Sequence, residues 1–457
     1  MYVNTNLFFI LHEQFFNVNF LCRFSSYNPN FMLKNIFNKK IRLILYITLL
    51  LPSFPLFLYP QQDSTIENSF SETEIKDTID TAVQDTILTE VHPQDISDEA
   101  GYIIENIGKW GKLRIYGSVR LSGAYDLNGL TSANSFSTYD IPVGDDAISQ
   151  PRFFMSPHQT RLGLEVTRSS LIGNFKLKIE SDFLGKNNGL RIRHAYVESG
   201  NFLIGQTWST FTDVNSVPAT VDIDGPNSSV QLRTVRIRYS NKILESPYKY
   251  IVSLESPEPD VAVTDSLSDR IPSQFLPDFA GKLTYNYSNG YVSLSAILRG
   301  ITVKDSAGSS EQIIGSGLLL AGVYDLDEQN KFLFQGVYGR AISRFITALN
   351  GKGLDLVFNP ITQLFEATKT FGLLLSYSHK WRADISSAFT FGMVDIKNKD
   401  FEPTDAFSQS KYISGNIFWN ALLGVRLGLE FSHGTRLNKD GESGRATRFG
   451  FIFYADF

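Results

Sequence analysis

The sequence has very few of the residues that build covalent or metal-based cores. Cysteine occurs once in 457 residues, as Cys22, so no intramolecular disulfide and no cysteine-built zinc or iron–sulfur site can form. Long apolar runs are equally scarce, because the best candidate for a membrane-spanning helix, residues 43–59, is interrupted by Pro52 and Pro55. These two shortages exclude a disulfide scaffold and a bundle of transmembrane helices.

Charged residues are also few, at 19%, and they are distributed unevenly along the chain. Residues 1–61 carry five basic residues against Glu13, for a net charge of +4, whereas residues 62–110 carry twelve acidic residues against two lysines, for a net charge of −10. Because the whole chain has a net charge of −5, residues 111–457 carry only +1. A nucleic-acid-binding domain normally presents a basic face, so we expect no nucleic-acid partner.

Residues 1–61 are typical of an export leader. The basic stretch from Lys34 to Arg42 precedes the apolar run LILYITLLLPSFPLFL, as the n-region and h-region of a signal peptide do. Met32 would give this signal peptide a normal length, so we expect translation to start there, and a single-span anchor is the alternative. A chain that begins at Met32 contains no cysteine, which suits an oxidising compartment.

Residues 62–110 are acidic and rich in Ser and Thr, a composition typical of a segment outside the main fold. Apolar residues recur at every fourth position and would line one stripe of a helix, namely Ile75, Ile79, Val83, Ile87 and Val91. We therefore predict a short periplasmic extension. It is either a solvated linker or a short coiled coil, and both interpretations stay open because Thr and Ile disfavour helix.

Apolar and polar residues alternate from residue 111 to Phe457. In KLRIYGSVRLSGAY, which begins at Lys112, odd positions carry mainly apolar residues and even positions carry mainly polar ones, and strand geometry sends these to opposite faces. Alternation alone allows a soluble β-sandwich. The segments run for about 10 to 14 residues, however, which is long enough to cross a bilayer at a tilt near 45° and roughly twice the usual sandwich strand.

The alternating segments number sixteen, within a range of fourteen to eighteen, and an even number is typical of single-chain bacterial barrels. They are 112–126, 159–168, 174–184, 189–199, 201–209, 229–240, 247–256, 277–287, 291–303, 312–325, 331–341, 368–379, 382–396, 410–420, 422–432 and 444–457. Long and short connections alternate between them, as external loops and periplasmic turns do, and the predicted external loops are 127–158, 185–188, 210–228, 257–276, 304–311, 342–367, 397–409 and 433–443. We predict an all-β transmembrane antiparallel β-barrel over residues 111–457, in contact with lipid of a Gram-negative outer membrane.

A barrel of about sixteen strands is wide enough for an aqueous channel. The polar phase of the first six strands carries a cluster of cations that we expect to line it: Arg114, Arg120, Arg161, Lys176, Lys178, Arg191, Arg193, Arg236 and Arg238. Fixed cations in a narrow passage of low dielectric concentrate anions, and the guanidinium fork orients carboxylates. This predicts a porin that prefers small anionic solutes, whereas the alternative is an arginine–acid ladder that only holds the wall together.

The third predicted external loop, 210–228, is the candidate constriction, because the third loop of general porins bends into the barrel. Its acidic residues Asp213, Asp222 and Asp224 would be available to pair with the arginines. The motif DIDG could bind calcium, but it lacks the other acidic ligands of a calcium loop, so a simple turn is favoured and no metal is expected.

Residues 191–239 resemble the signature stretch of the DcaP-like trimeric outer-membrane porins. The resemblance rests on RHAY followed by GQTWS at this spacing, and its elements are Arg191, Arg193, His194, Ala195, Tyr196, Gly205, Gln206, Thr207, Trp208, Ser209, Asp222, Gly225 and Pro226. It implies a sixteen-stranded homotrimeric channel, an N-terminal extension that can form a coiled coil, and uptake of small anions such as dicarboxylates.

Enzymatic motifs are missing from the sequence. There is no HExxH, no GxSxG and no phosphate loop, and the six histidines are scattered. His194 falls on the apolar phase of its segment, which favours a girdle or interface position over a catalytic base. We therefore expect no enzyme and no cofactor. A non-conducting adhesin or structural barrel is the main alternative to a porin, and a barrel hydrolase is a weaker one.

Overall fold

The computed structural model describes residues 92–457 except 97–99, 106–110, 129, 131–134, 145–149, 171–172, 263–269, 275 and 305–309. The chain divides into two compact units, Met1–Ser71 and Glu72–Phe457, and every described residue belongs to the second. The predictions for the leader, and for most of the acidic extension, fall outside these residues. Within the described ranges no helix is both long enough and apolar enough to cross a bilayer.

Long antiparallel strands form the body of the second unit, and each pairs with its neighbours along the chain. The sixteen strands of this sheet are β1 Lys112–Asn128, β2 Arg161–Ser170, β3 Gly173–Asp182, β4 Arg191–Ser199, β5 Phe202–Trp208, β6 Arg233–Lys242, β7 Tyr248–Glu255, β8 Asp278–Tyr287, β9 Gly290–Lys304, β10 Ser310–Asp325, β11 Asn330–Arg340, β12 Lys369–Lys380, β13 Ile385–Lys397, β14 Phe407–Leu422, β15 Val425–Asn438 and β16 Ser443–Asp456. The first strand also pairs with the last, with Ser118 opposite Asp456, which closes the barrel. The predicted fold and strand number are confirmed.

The alternation in the sequence separates an outer face from an inner one. In β6, Val235 and Ile237 are 51% and 53% exposed, while the intervening Arg236 and the following Arg238 are almost completely covered. A period of two places the apolar side chains outside, where lipid surrounds a barrel, and the arginines inside.

The two ends of the barrel differ in the length of their connections. One end, here called the turn end, has the short connections 171–172, 200–201, 243–247, 288–289, 326–329, 381–384 and 423–424. The other, the loop end, has the connections 129–160, 183–190, 209–232, 256–277, 305–309, 341–368, 398–406 and 439–442. This alternation agrees with the prediction. The last loop is shorter than predicted, because β15 continues to Asn438 instead of ending near residue 432.

Five short strands accompany the barrel. Tyr102–Ile104 pairs with the start of β1, Arg152–Ser156 pairs with its second half, and Ile271–Gln274 pairs with β9. Leu356–Asn359 and Leu364–Ala367 form a separate hairpin within the loop end. The strand Tyr102–Ile104 pairs with β1 on the same side as β16, beyond the point where β16 ends. This pairing anchors the chain that precedes the barrel.

Two long connections fold into the barrel and pack together there. These are loop 3, residues 209–232, and loop 6, residues 341–368. Phe211 and Val230 of loop 3 join Ile342, Phe345 and Ile346 of loop 6 in one buried apolar cluster. The barrel wall completes this cluster with side chains from the inner faces of β8 to β13, which are Ala280, Ile297, Leu319, Ala321, Val337, Val394 and Ile396.

Candidate functional site: the arginine wall

The inner face of the barrel carries a group of arginines at the level where loop 3 crosses. We name this group the arginine wall and define it as Arg120 of β1, Arg161 of β2, Arg193 of β4, Arg233 of β6 and Arg426 of β15. The side chains of Arg120, Arg161 and Arg193 are at most 3% exposed. Period-two strands bring them to one face although they are far apart in sequence.

A bulge in β4 changes which residues of this strand face inward. Ser181 of β3 lies opposite Ile192, but the adjacent Glu180 lies opposite His194, so Arg193 is the extra residue. A bulge of this kind places two successive side chains on one face. Both Arg193 and His194 are therefore buried inside, and the prediction that His194 belongs to the outer apolar face is wrong.

Several predicted pore-lining cations pair with acidic residues of the barrel strands. Arg193 Nε lies 2.8 Å from Glu180 Oε1, and Arg191 Nη2 lies 2.7 Å from Asp182 Oδ2. Three further ion pairs repeat the pattern: Lys176 with Glu165 at 3.1 Å, Lys178 with Glu180 at 3.8 Å and Arg238 with Glu198 at 2.6 Å. For these cations the arrangement is a ladder of basic and acidic side chains that holds the barrel wall together, which was the alternative to a lining that attracts anions.

The remaining predicted cations make other contacts. Arg114 is buried with its guanidinium 4.3 Å from the centre of the Tyr116 ring, and Arg236 Nη1 donates a hydrogen bond to Thr210 Oγ1 of loop 3 at 3.0 Å. Arg120 and Arg161 form no ion pair with a wall carboxylate among the described residues. No carboxylate of the barrel strands neutralises these two arginines within the described part of the chain.

A short stretch of the chain before the barrel lies against these arginines. We name it segment 92–96. The carbonyl oxygen of Gln94 accepts hydrogen bonds from Arg120 Nη2 at 2.9 Å and from Arg161 Nη1 at 2.7 Å. Asp95 Oδ1 lies 3.6 Å from Arg161 Nη1 and 3.5 Å from Arg193 Nη2. The arginine wall thus binds a carboxylate, and this carboxylate belongs to Asp95 of the acidic extension and not to loop 3.

Segment 92–96 also contacts aromatic residues and loop 3. The His92 ring stacks on Trp208 with centroids 5.4 Å apart, and Gln94 Nε2 donates to the carbonyl oxygens of Thr220 at 3.0 Å and Asp222 at 3.0 Å. The sequence reasoning missed Asp95, because it is one of twelve acidic residues in a stretch without strand alternation. No local signal distinguishes it from the others.

Electrostatics keep Asp95 ionised in this position. Burial by itself raises the pKa of the Asp95 carboxyl, but the nearby positive groups, including Arg193 and Arg161, outweigh this effect and hold the pKa below its usual range. Burial lowers the pKa of His92 to about 3, so this ring is neutral near pH 7. The segment therefore presents one negative charge to the arginine wall.

Loop 3 crosses the barrel and reaches the opposite strands. Gln335 Nε2 of β11 donates to the carbonyl oxygen of Asp213 at 2.7 Å, and Glu430 Oε2 of β15 accepts the backbone N–H of Val221 at 3.0 Å. The carbonyl oxygen of Ala219 accepts a hydrogen bond from Asn416 Nδ2 at 2.8 Å. These contacts stretch the loop across the lumen.

The three predicted acidic residues of loop 3 have different surroundings. Asp213 accepts hydrogen bonds from Tyr291 and Ser293 at 2.6 Å and lies 3.8 Å from Lys282 Nζ. The prediction that Asp213 pairs with the arginines is therefore incorrect, because the loop carries it to β8 and β9. Burial raises the pKa of Asp224, and the positive charges of Arg191 and Arg233 oppose this shift.

Asp222 is hydrogen-bonded to the first loop of the barrel. Its Oδ2 accepts the backbone N–H of Phe136 at 2.7 Å. Burial, together with the negative charges of Asp224 and Glu430, raises the pKa of Asp222 to about 7, while Arg448 opposes the shift. This carboxyl therefore changes its charge near neutral pH.

Protein covers most of the arginine wall. A cavity of about 80 Å³ remains beside segment 92–96, and its polar lining includes Arg191, Arg193, Arg233 and Asp224, with Trp208 along one side. Asp95, Glu180 and His194 could each offer one ligand atom to a metal ion. The surrounding guanidinium groups make this position electropositive, so the site suits an anion better than a cation.

The comparisons with known proteins agree with this architecture. The model of the DcaP outer membrane protein family matches residues 104–456. The outer membrane channel DcaP of Acinetobacter baumannii superimposes with a TM-score of 0.66 at 21% identity, over 76% of this chain and 97% of that one. An anion-selective porin from Comamonas acidovorans gives a TM-score of 0.50 at 13% identity, over 75% of this chain and 99% of that one.

No curated protein matches the chain by sequence. The match to the family model nevertheless extends from the strand before β1 to the end of β16, and thus includes every strand of the barrel. The resemblance seen in RHAY and GQTWS is confirmed. The chain therefore belongs to the DcaP outer membrane protein family, and its barrel lies in the outer membrane of a Gram-negative bacterium.

Proposed function

We propose that this protein is a passive outer-membrane channel for small anionic solutes, with dicarboxylates as the preferred class. The observation that carries the proposal is the arginine wall, in which Arg161 and Arg193 hold the carboxylate of Asp95. A guanidinium that accommodates one carboxylate in a passage of low dielectric can accommodate that of a solute. The two similar structures, an outer membrane channel and an anion-selective porin, support the same function.

Unused hydrogen-bond donors favour a solute with more than one acceptor group. Arg161 Nε and Nη2, and Arg120 Nη1, are buried and make no hydrogen bond to the described part of the chain. A dicarboxylate brings four acceptor oxygens and two negative charges to these donors, whereas a monocarboxylate brings two oxygens and one charge. Loop 3 would act as the constriction that brings the solute to these donors.

Ion selectivity in planar bilayers tests the proposal. The wild-type channel in a KCl gradient should show a reversal potential that indicates preference for chloride, and Arg161→Gln should weaken this preference. The matched control is Arg382→Gln, because Arg382 lies in the 381–384 turn, is 63% exposed and pairs with Asp384 outside the lumen. Cation preference in the wild-type protein would contradict the proposal.

A non-conducting adhesin or structural barrel is the second candidate, and the covered arginine wall is the observation that favours it. Liposome swelling with solutes of graded size distinguishes the two. A conducting barrel admits small organic acids and excludes large ones, whereas a structural barrel admits neither. The readout needs no assumption about which solute permeates in the cell.

We also propose a homotrimer as the assembly, as the family resemblance implies. The mass of the protein in a detergent complex, measured by light scattering with the detergent contribution subtracted, should equal three chains. A mass of one chain would contradict this part of the proposal and leave the single-barrel channel intact.

A further inference from the structure

Segment 92–96 occupies the position that the proposed function assigns to the solute. Its acceptor groups face the arginine wall: the Gln94 carbonyl accepts from Arg120 and Arg161, the Pro93 carbonyl accepts from Arg426 Nη1 at 3.4 Å, and the Asp95 carboxylate lies between Arg161 and Arg193. Carbonyl and carboxylate oxygens are also the groups that a carboxylic acid would present. The segment therefore resembles an anionic ligand that is attached to the protein.

The contacts of Asp95 are weaker than the permanent ion pairs of the same wall. Its Oδ1 lies 3.5 Å and 3.6 Å from the two guanidinium groups and makes no hydrogen bond, whereas Arg193 contacts Glu180 at 2.8 Å. Charge-assisted hydrogen bonds normally measure about 2.7–2.9 Å. A free carboxylate that makes direct hydrogen bonds can therefore displace Asp95 without disturbing the rest of the wall.

The segment is also connected to loop 3. Gln94 Nε2 donates to Thr220 Oγ1 at 3.2 Å, in addition to its bonds with the carbonyl oxygens of Thr220 and Asp222. Loop 3 and segment 92–96 together close the space in front of the arginines. If the segment leaves, loop 3 loses these three contacts while its bonds to β11 and β15 are unaffected.

A short covalent connection keeps the segment near the wall after it leaves. The strand Tyr102–Ile104, a few residues later in the chain, is hydrogen-bonded to β1 with Tyr102 opposite Ile115. A ligand held by a short covalent connection has an effective concentration of about millimolar or above. A solute at comparable concentration can compete with it, so the closure is reversible.

We infer that segment 92–96 is a tethered plug whose carboxylate and carbonyl groups occupy the solute site on the arginine wall, and which free dicarboxylates displace to open the channel. This inference rests on the proposed function, since it assigns regulation to the same site. While no carboxylate is present, the plug keeps the passage closed to bulk ions for most of the time. Arrival of the solute exchanges one set of acceptors for another on the same arginines.

Single-channel recording of the full-length protein tests the plug. Gln94→Ala removes the amide N–H groups that contact three acceptors of loop 3 without changing any charge, and Asp95→Ala removes the carboxylate. Loss of two or three hydrogen bonds shifts a closed–open equilibrium about tenfold, so the fraction of time spent open should rise by about that factor. The concentration of succinate that half-saturates its effect on the current should fall by a similar factor, because the internal competitor is weakened.

Two controls separate the plug from general effects of charge and polarity. Asp395→Asn removes a carboxylate of β13, on the other side of the barrel from β1 and β2, that accepts a hydrogen bond from Gln409 Nε2 at 3.1 Å. Gln329→Ala removes an exposed amide from a turn at the other end of the strands. Neither should change the open fraction. If Gln94→Ala has the same open fraction and the same succinate response as the wild type, the plug is refuted.

A labelling experiment reports the movement directly. Ile96 is 6% exposed, so in a Cys22→Ser background the thiol of Ile96→Cys should react slowly with a maleimide, and succinate should accelerate the reaction about tenfold. The uncharged isostere succinamide should not accelerate the reaction. Equal rates with and without succinate would refute displacement. Anion preference without displacement refutes the plug alone, whereas cation preference with faster labelling refutes the proposed selectivity alone.

Discussion

The two halves of the barrel have the same outer face and different inner faces. Strands β1 to β6 carry arginines inside, among them Arg120, Arg161, Arg193, Arg236 and Arg238. Strands β9 to β13 carry mainly small, apolar or neutral polar residues inside, among them Ser295, Leu319, Gln335, Leu374 and Thr390. The outer positions alternate in the same way in both halves, so the difference concerns only the lumen.

Loop 3 and loop 6 pack against the half that contains β9 to β13, here called the neutral half. A Cβ atom at Gly392 of β13 would collide with the Ser228 side chain of loop 3, and one at Gly317 of β10 would approach Ile342 of loop 6 at 3.0 Å. Small inner residues therefore make room for the loops, which bury their apolar side chains there. The half that contains β1 to β6 presents mainly charged side chains among its described inner residues, so its covering has to supply acceptor groups, and segment 92–96 supplies them.

The largest expected effect comes from the main exception to this comparison, a buried arginine in the neutral half. The side chain of Arg299 is fully covered and contacts Asp278 at 3.1 Å and Asp355 at 2.7 Å. Because Arg299→Ala leaves two buried carboxylates without their cation, we expect the free energy of unfolding to fall by about 3–5 kcal/mol. Denaturation of the refolded protein in detergent measures this change. A loss below about 1 kcal/mol would show that water reaches these carboxylates.

A smaller effect is expected where the neutral half binds loop 3. Gln335 donates from Nε2 to Asp213 O and to Ser216 Oγ, and its Oε1 accepts the N–H of Val230 at 2.9 Å. Gln335→Ala leaves the buried backbone N–H of Val230 unpaired and removes one of the two side-chain hydrogen bonds that the Asp213 carbonyl accepts, so the free energy of unfolding should decrease by about 1–3 kcal/mol. Ion selectivity should stay unchanged, because the arginine wall is intact. A change in selectivity without a loss of stability would contradict the division between the two halves.

The third prediction concerns pH and the boundary between the halves, where Asp222 lies. Burial raises the pKa of the Asp222 carboxyl to about 7. A carboxyl with a raised pKa contributes its full stabilisation to the fold below its ordinary pKa. This stabilisation is lost as the pH rises through 7. The melting temperature should therefore fall by a few degrees between about pH 5 and about pH 8. Asp222→Asn should remove most of this fall. An equal fall in both proteins would assign it to another group.

The smallest effect is expected outside the lumen. Arg382 and Asp384 form an exposed ion pair at 2.8 Å in a turn. An exposed pair contributes little, so Arg382→Gln should change the free energy of unfolding by no more than about 0.5 kcal/mol. The same variant serves as the selectivity control. A large effect on either quantity would show that charge at the turn end acts on the whole barrel.

The barrel itself could be predicted well from the sequence. Strand positions, the strand number and the alternation of loops and turns all follow from a period of two over long segments, and local alternation survives whatever the tertiary context. The arginines at positions 236 and 238 illustrate the point, because Val235 and Ile237 alone determine which face they occupy. A consistent local pattern is sufficient for such a prediction.

Three features of the site could not be predicted. The bulge in β4 turns His194 inward, because an extra residue in one strand depends on the pairing with its neighbour and not on the pattern of that strand. The course of loop 3 carries Asp213 to Ser293 and Tyr291 instead of to the arginines. Asp95 reaches the wall from a segment with no periodicity at all.

The amino-acid sequence by itself determined that this chain forms a barrel with an apolar outside and an arginine-rich half inside, because both properties follow from which residues alternate along each strand. Only the tertiary structure decided which arginines are neutralised by their own wall and which bind segment 92–96. That outcome depends on distances between residues remote in sequence, since an ion pair needs two charges within a few ångströms, and no single stretch of the chain specifies such a distance.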